Sequence, residues 1–231
     1  MRTTIPWGDG TGDNIYLDYN ASAGDQSVSV SSDANAGVAR TKVVTFSASG
    51  ATPVTLTVNQ AVRTKKQVTI SAHPTSYDTE HYAWDSIVSG YPIENGYTDS
   101  DSTTQARFNW VKGDQAETYI YYKFDFSSIP ADADIISVTG KAKGYVNTAT
   151  SGRVAAREIQ FATGTTLKGT AEQLTSTVTE FTFTDVGSWT RAELQNAAVR
   201  FYVRRNASGA NSTFYMRAYG ATMTVTYEYY E

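Results

Sequence analysis

Short runs in which apolar and polar side chains alternate constrain the fold of this chain more than any other feature of its sequence. Val54, Leu56 and Val58 alternate with threonines, and Val28 and Val30 alternate with serines. A period of two places the apolar residues on one face of a β-strand, because successive side chains point to opposite faces. Sixteen tyrosines against five prolines support the same interpretation, since aromatic residues suit half-buried strands. The sequence therefore predicts an all-β protein.

Residues 1–62 show four such patterns, separated by turn residues at intervals of about 8–12 residues, the spacing of a small β-sandwich. A module of this length buries only a marginal core, so we expect contacts with a neighbouring domain or chain to stabilise it. Residues 63–66 are polar and basic and are predicted to be a short linker. A solvated strand edge is the alternative interpretation of this segment.

Residues 67–231 contain eight or so further strand patterns and predict a larger two-sheet jelly-roll sandwich. The alternation that begins at Ile135 places Ile136 and Val138 on one face, followed by small residues that indicate close packing between sheets. One short helix is predicted at 190–196, because Thr190 is followed three residues later by a glutamate, the spacing of a capping box.

Composition excludes several functional classes. The chain has no cysteine, which excludes disulfide scaffolds, thiolate metal sites and cysteine nucleophiles. Its net charge of -4 gives no electrostatic signature of a nucleic-acid partner or an anionic membrane. Its apolar runs are far shorter than the ~20 residues that span a bilayer. The first residues lack the apolar segment of a signal peptide, so we expect no export by that route.

Groups suited to catalysis are few. The chain has two histidines, and one of them, His81, follows Asp78 and Glu80. These three residues form either a metal or acid–base cluster or a polar loop that leads into a strand. No nucleophile elbow, zinc-protease helix, phosphate-binding loop or dinucleotide fingerprint occurs. A pair of carboxylates acting on polysaccharide stays open as a third function, but we predict that the protein is not an enzyme.

Two acidic, turn-rich segments are candidate sites for a structural calcium ion. Asp9 and Asp13 lie in the first segment, and Asp99 and Asp101 lie in the second. Carboxylate oxygens in turns are the ligands that Ca²⁺ uses, but neither segment has the complete loop of an EF-hand. Turns closed by aspartate side chains are the alternative interpretation of both segments. We expect no other cofactor.

Exposed aromatic residues are candidates for a carbohydrate platform. Trp84, and Trp110 beside Asn109, would stack on sugar rings while the amide bonds the hydroxyls. Packing inside the sandwich is the alternative role of such residues. Four arginines are also predicted to share one outward sheet face: Arg200, Arg204, Arg205 and Arg217. We expect these arginines to pair with carboxylates or a partner subunit rather than with nucleic acid.

Two segments of the first domain carry a family resemblance. Residues 40–50 and 53–61 resemble the closing part of the BACON-type immunoglobulin-like domain of gut Bacteroidetes and their phages, which ends with an arginine, a Thr-Phe strand and a Val-x-Gln-Ala tail. Residues 5–14 are similar to the start of such modules in phage-encoded proteins. The resemblance implies an immunoglobulin-like sandwich for residues 1–62.

The second domain carries a more specific resemblance. Residues 124–138, FDFSSIPADADIISV, are similar to the Phe-Asp-x-Ser-x-Ile-Pro-x-x-Ala-x-Ile signature of jelly-roll modules in phage minor structural proteins. Residues 187–194 and 219–227 continue the match. This resemblance implies a jelly roll in a virion context and supplies no catalytic residues.

Together, the resemblances imply a non-enzymatic virion structural protein, which we expect to be a capsid auxiliary or decoration protein of a gut Bacteroidetes phage. Such a protein is made in the host cytoplasm and needs no secretion signal. We expect the first domain to attach to the major capsid protein or other virion proteins and the second to project, in a homo-oligomer such as a trimer. The alternative is a carbohydrate-binding adhesion module on the capsid or tail that holds the phage to mucus or host glycan.

Overall fold

The computed structural model describes most of the chain. The described ranges are 2–19, 28–35, 37–47, 49–78, 86–87, 89–99, 104–110, 117–147, 154–184, 186–205 and 214–231. Strands account for 62% of the structure and helices for 4%, which confirms the predicted all-β fold class. Within these ranges, no helix has the length and apolar character needed to cross a membrane.

The chain divides into two compact units. Unit 1 comprises Met1–Lys66 with Tyr230–Glu231, and unit 2 comprises Gln67–Tyr229. The last two residues therefore belong with the first unit, although the sequence pattern groups them with the second. Residues 63–66 lie within unit 1, and Lys65 already belongs to a strand.

Unit 1 is built from two small antiparallel sheets. Its own strands are β1 (Arg2–Pro6), β2 (Asn14–Tyr19), β3 (Val28–Ser32), β4 (Arg40–Phe46) and β5 (Val54–Gln60). The first sheet has the order β1-β2-β3, and the second consists of β4 and β5. Both sheets contribute to one small core of Trp7, Ile15, Leu17 and Val44. So small a core agrees with the limited area that about 60 residues bury.

Unit 2 contains two larger antiparallel sheets. The remaining strands are β6 (Lys65–Ala72), β7 (Pro74–Asp78), β8 (Ser86–Ile87), β9 (Ala106–Trp110), β10 (Glu117–Phe124), β11 (Asp134–Val146), β12 (Val154–Thr163), β13 (Thr166–Gln173), β14 (Thr179–Phe183), β15 (Ala197–Arg205) and β16 (Phe214–Tyr230). The five-stranded sheet has the order β13-β12-β15-β10-β7. The six-stranded sheet has the order β14-β11-β16-β9-β8, and β6 also pairs with β16.

Aromatic side chains of both sheets contribute to the core of unit 2. Phe161 of the five-stranded sheet contacts Phe183 of the six-stranded sheet edge to face, with ring centroids 5.1 Å apart. Gly140 lies directly against this pair, since a Cβ atom there would lie 2.3 Å from the Phe161 ring. The prediction that small residues of β11 permit close packing is therefore confirmed at this position.

The predicted face of β11 is wrong at its first residues. The alternation predicts Ile136 on the same face as Val138, but Ile136 is 50% exposed and Ile135 packs against the core instead. The pairing of β11 with β16 shifts between Ile135 and Ser137, which marks a bulge. A bulge inserts one residue and reverses the alternation on one side of it.

The predicted capping box closes the start of the short helix α1 (Arg191–Leu194). The hydroxyl of Thr190 accepts from the backbone N–H of Glu193 at 3.2 Å, and the Glu193 carboxylate accepts from the backbone N–H of Thr190 at 2.7 Å. These reciprocal bonds satisfy two donors that a helix start leaves open. A 3-10 helix, Ile93–Gly96, is the other helical segment of the described residues.

Candidate functional site

The residues predicted to bind sugar are described only in part. Trp84 falls outside the described residues, as do His81 and Glu80 of the other candidate cluster. Asn109 and Trp110 belong to β9, where their backbones pair with Tyr215 and Phe214 of β16. The structure describes the strand position of Asn109 and Trp110 but not their side chains.

The first candidate calcium site is occupied by an arginine of the same unit. Nη1 of Arg40 donates to carboxylate oxygens of Asp9 at 2.8 Å and of Asp13 at 2.9 Å. The guanidinium also lies over the ring of Trp7, 4.4 Å from its centroid, and the Arg40 side chain is only 7% exposed. Hydrogen bonds from the Thr11 side chain, and next from Arg40, hold the pKa of Asp9 well below its usual range. The two aspartates thus neutralise an internal cation.

The second candidate calcium site is only partly described. Asp99 lies beside β16, where its carbonyl oxygen would be 2.5 Å from a Cβ atom placed on Gly220. Asp101 falls outside the described residues. Within the described part of the chain, no three histidine, aspartate or glutamate side chains come together in a group suited to a metal ion.

Unit 1 leaves part of its inner apolar surface uncovered. Val30 of β3 pairs with the buried Leu17, and Val54 of β5 pairs with Phe46, which shares a face with the buried Val44. These partners place Val30, Phe46 and Val54 on the faces that form the core, yet all three are exposed, Val54 to 65%. A cavity of about 440 Å³ beside Phe46 is lined by residues of β1, β2, β3 and β4. Each of the two sheets therefore exposes apolar side chains on its core-forming face.

A cluster of arginine and tyrosine side chains marks the outer face of the six-stranded sheet in unit 2. Arg217 of β16 lies directly opposite Tyr145 of β11 on one side and Arg107 of β9 on the other. Their neighbours along the strands, such as Met216 and Ala218, are fully buried, so alternation turns the three side chains to the outer face. We call this cluster, with Tyr91 and Tyr215, the arginine–tyrosine patch.

Both guanidinium groups of the patch lie against aromatic rings. Arg107 lies 4.1 Å and Arg217 lies 5.0 Å from the ring centroid of Tyr215. Arg217 also lies 5.3 Å from the Tyr145 centroid and 5.9 Å from the Tyr91 centroid. Such contacts hold the flat guanidinium groups in place through the negative faces of the rings. Lys143 and Tyr219 continue the patch, with the Lys143 ammonium 5.4 Å from the Tyr219 centroid.

The two arginines of the patch have no carboxylate partner among the described residues. Their Nε atoms are buried without a hydrogen bond, and no ion pair of the described chain involves either side chain. Burial, and next a hydrogen bond with Tyr215, raises the pKa of Tyr145 to about 12, so the phenol is neutral at physiological pH. As far as the structure describes the chain, the two positive charges of Arg107 and Arg217 therefore have no carboxylate beside them.

The sequence predicts one member of the patch, Arg217, but groups it with the wrong residues. Arg217 was predicted to share a sheet face with Arg200, Arg204 and Arg205, but β15 and β16 lie in different sheets. Arg200 does pair with a carboxylate, that of Glu158 at 3.1 Å. Arg107 was not singled out, because nothing along the chain shows that β9 pairs with β16.

Comparison with known proteins does not indicate a function for this chain. The chain matches no protein-family model, and searches of curated proteins and of solved structures gave no significant match. The geometry of the uncovered face of unit 1 and of the arginine–tyrosine patch is therefore the basis for a functional proposal.

Proposed function

We propose that the protein is a non-enzymatic virion structural protein, specifically a capsid auxiliary or decoration protein of a gut Bacteroidetes phage. Unit 1 attaches it to the major capsid protein or another virion protein, and unit 2 projects. The observation that carries this proposal is the exposure of Val30, Phe46 and Val54 on the core-forming faces of unit 1. When a partner covers apolar side chains placed in this way, the free energy of binding becomes more favourable by roughly 25 cal/mol per Å² of buried apolar area.

Many weak contacts suffice for such attachment. A homo-oligomer such as a trimer presents several copies of the apolar face at once, and each added contact multiplies the effective affinity. A small module with a marginal core also gains stability from its partner, since anything that binds only the folded form stabilises it.

Two matched substitutions test the attachment. Val54 and Val43 are both exposed, to 65% and 56%, but Val54 pairs with Phe46 on the core-forming face whereas Val43 lies on the opposite face of the hairpin. We expect Val54→Asp to reduce incorporation into particles severely and Val43→Asp to leave it near normal, as measured by the copy number on purified virions. Equal incorporation of both variants, with both folded, would contradict attachment through this face.

The arginine–tyrosine patch favours a second function, a carbohydrate-binding adhesion module that holds the virion to mucus or host glycan. Half-buried tyrosine rings offer flat apolar surface for a sugar face, and guanidinium groups donate to its oxygens. Loss of glycan-array binding in Tyr215→Ala, with the fold intact by circular dichroism, would support this function. Loss in Trp84→Ala or Trp110→Ala would instead support the tryptophan platform expected from the sequence, and no signal with any glycan would count against the function.

A further inference from the structure

We propose that the arginine–tyrosine patch is a binding site for acidic saccharides, in which Arg107 and Arg217 hold a sugar carboxylate. The proposal rests on the second function proposed above and names its ligand class. The proposed sugar-binding residues lie on the outer face of the six-stranded sheet. They differ from Trp84 and Trp110, the tryptophans that the sequence predicts to bind sugar.

The need for an anion follows from the position of the two arginines. Residues directly opposite in an antiparallel pair have Cβ atoms about 4.5–5.5 Å apart, and like charges there destabilise the sheet. Arg107 and Arg217 occupy such a position and have no carboxylate partner among the described residues. A bound anion removes this repulsion, so the free site is prepared for one.

Three other partly buried arginines of the described chain show a contrast. Arg40 is bound by two aspartates, and Arg200 is bound by Glu158. The side chain of Arg191 donates to the carbonyl oxygen of Ile129 at 3.1 Å. The fold therefore supplies a protein acceptor to each of these three guanidinium groups, whereas the described residues offer only aromatic rings to Arg107 and Arg217.

The aromatic surroundings favour a sugar over other anions. A planar carboxylate matches the two parallel donors of a guanidinium, and the rings of Tyr91, Tyr145 and Tyr215 offer apolar surface to the face of the same sugar. A nucleic acid needs many phosphate contacts along its backbone, but this chain has a net charge of -4. The two positive charges of the patch, beside three tyrosines, fit one acidic sugar residue better than a polyphosphate.

The test measures binding of defined oligosaccharides to the full chain by titration calorimetry. The probes are trigalacturonate, its methyl ester, a sulfated galactose oligosaccharide and a ten-nucleotide oligothymidylate. We expect trigalacturonate to bind and its uncharged ester to bind about tenfold more weakly or worse, a difference of about 1.4 kcal/mol. Binding of the sulfated sugar but not of trigalacturonate would overturn the carboxylate as the recognised group.

Three variants locate the site. Arg107→Gln with Arg217→Gln is expected to abolish trigalacturonate binding, and Arg204→Gln, an exposed position of the other sheet, is expected to leave it unchanged. If the double variant does not fold, Arg217→Lys keeps the charge, and we expect it to weaken binding because a lysine lacks the planar fork. Retained binding in a folded double variant would overturn the proposal.

The outcomes separate this inference from the function on which it rests. Equal binding of the acid and its ester at the patch would leave the glycan function standing and overturn the preference for acidic sugars. Binding of the oligothymidylate alone would overturn it in favour of a general polyanion site. No binding of any saccharide would overturn the inference and the glycan function together, while leaving attachment through unit 1 unaffected.

Discussion

The guanidinium of Arg217 lies 5.3 Å from the ring centroid of Tyr145, the residue directly opposite it on the neighbouring strand. The interaction of a cation with an aromatic face is favourable by about 0.5–1 kcal/mol at an exposed site and by more where water is excluded. The ring orients the guanidinium but does not neutralise it. Tyr145 is thus a positioning residue for the Arg217 guanidinium of the proposed saccharide site.

The first prediction concerns the alkaline stability of the patch. Burial, and next the hydrogen bond with Tyr215, raises the pKa of Tyr145 from 10.0 to about 12. A group whose pKa is raised by folding contributes stability that is full below its unfolded pKa and is lost as the pH rises through its folded pKa. We therefore expect Tyr145→Phe to lose less unfolding free energy between pH 10 and pH 12 than the unchanged chain does. Denaturant unfolding at several pH values measures this, and parallel declines in both proteins would contradict it.

A second prediction concerns the arginine of unit 1. Arg40→Met leaves Asp9 and Asp13 without their cation, so we expect the core of unit 1 to melt at a lower temperature at pH 7. The methyl NMR signals of Ile15 and Leu17, followed with temperature, report on this core. Because folding lowers the pKa of Asp9, its stabilisation is present above pH 3.8 and is lost as the pH falls below that value. The difference between the two proteins should therefore narrow in acid.

The control for this variant is Arg2→Met. Arg2 makes an exposed ion pair with Asp18 at 3.9 Å, and exposed pairs contribute little. We expect its melting temperature to stay near that of the unchanged chain. Excess calcium should not raise the melting temperature of unit 1, since Arg40 already occupies the two aspartates. A calcium-dependent rise, or equal losses in both variants, would show that the arginine does not hold this loop.

Features that depend on neighbours along the chain were predictable, and features that depend on strand pairing were not. The bonds between Thr190 and Glu193 join residues three apart, so their spacing alone indicates the helix start. Alternation likewise identifies the buried face of β11 from Val138 onward, with Val138 and Ala142 in the core. The bulge at Ile136 escaped prediction because alternation says nothing of the partner strand against which an extra residue is inserted.

The candidate sites show the same limit. Arg40 reaches Asp9 across 31 positions of sequence, so a cluster that resembles a calcium turn proved to hold a cation of the protein itself. Arg107 and Arg217 are 110 positions apart and meet only because β9 and β16 are neighbours. A list of charged residues cannot show which of them lack partners, because pairing is a property of the folded sheet.

A third prediction concerns the capping box. Thr190→Ala removes the hydroxyl that accepts from the Glu193 N–H, and loss of such a cap costs about 0.5–2 kcal/mol of unfolding free energy. Thr190→Ser keeps the acceptor and should retain most of the stability. Urea unfolding of the three proteins measures the difference. A serine variant as unstable as the alanine variant would show that the hydroxyl bond is not what Thr190 contributes.

The last prediction tests the close packing of the two sheets in unit 2. Gly140→Ala places a Cβ atom 2.3 Å from the ring of Phe161, so either the ring or the strand must shift. Overpacking of this kind costs about 1–3 kcal/mol of unfolding free energy. Phe161→Leu alone also destabilises by leaving a cavity, but it makes room for the new methyl group. We expect the double variant to be more stable than the sum of the two single losses predicts, as measured by urea unfolding in a double-mutant cycle. Simple additivity would mean that Gly140 and Phe161 do not limit each other, and that the distance between the sheets is set elsewhere.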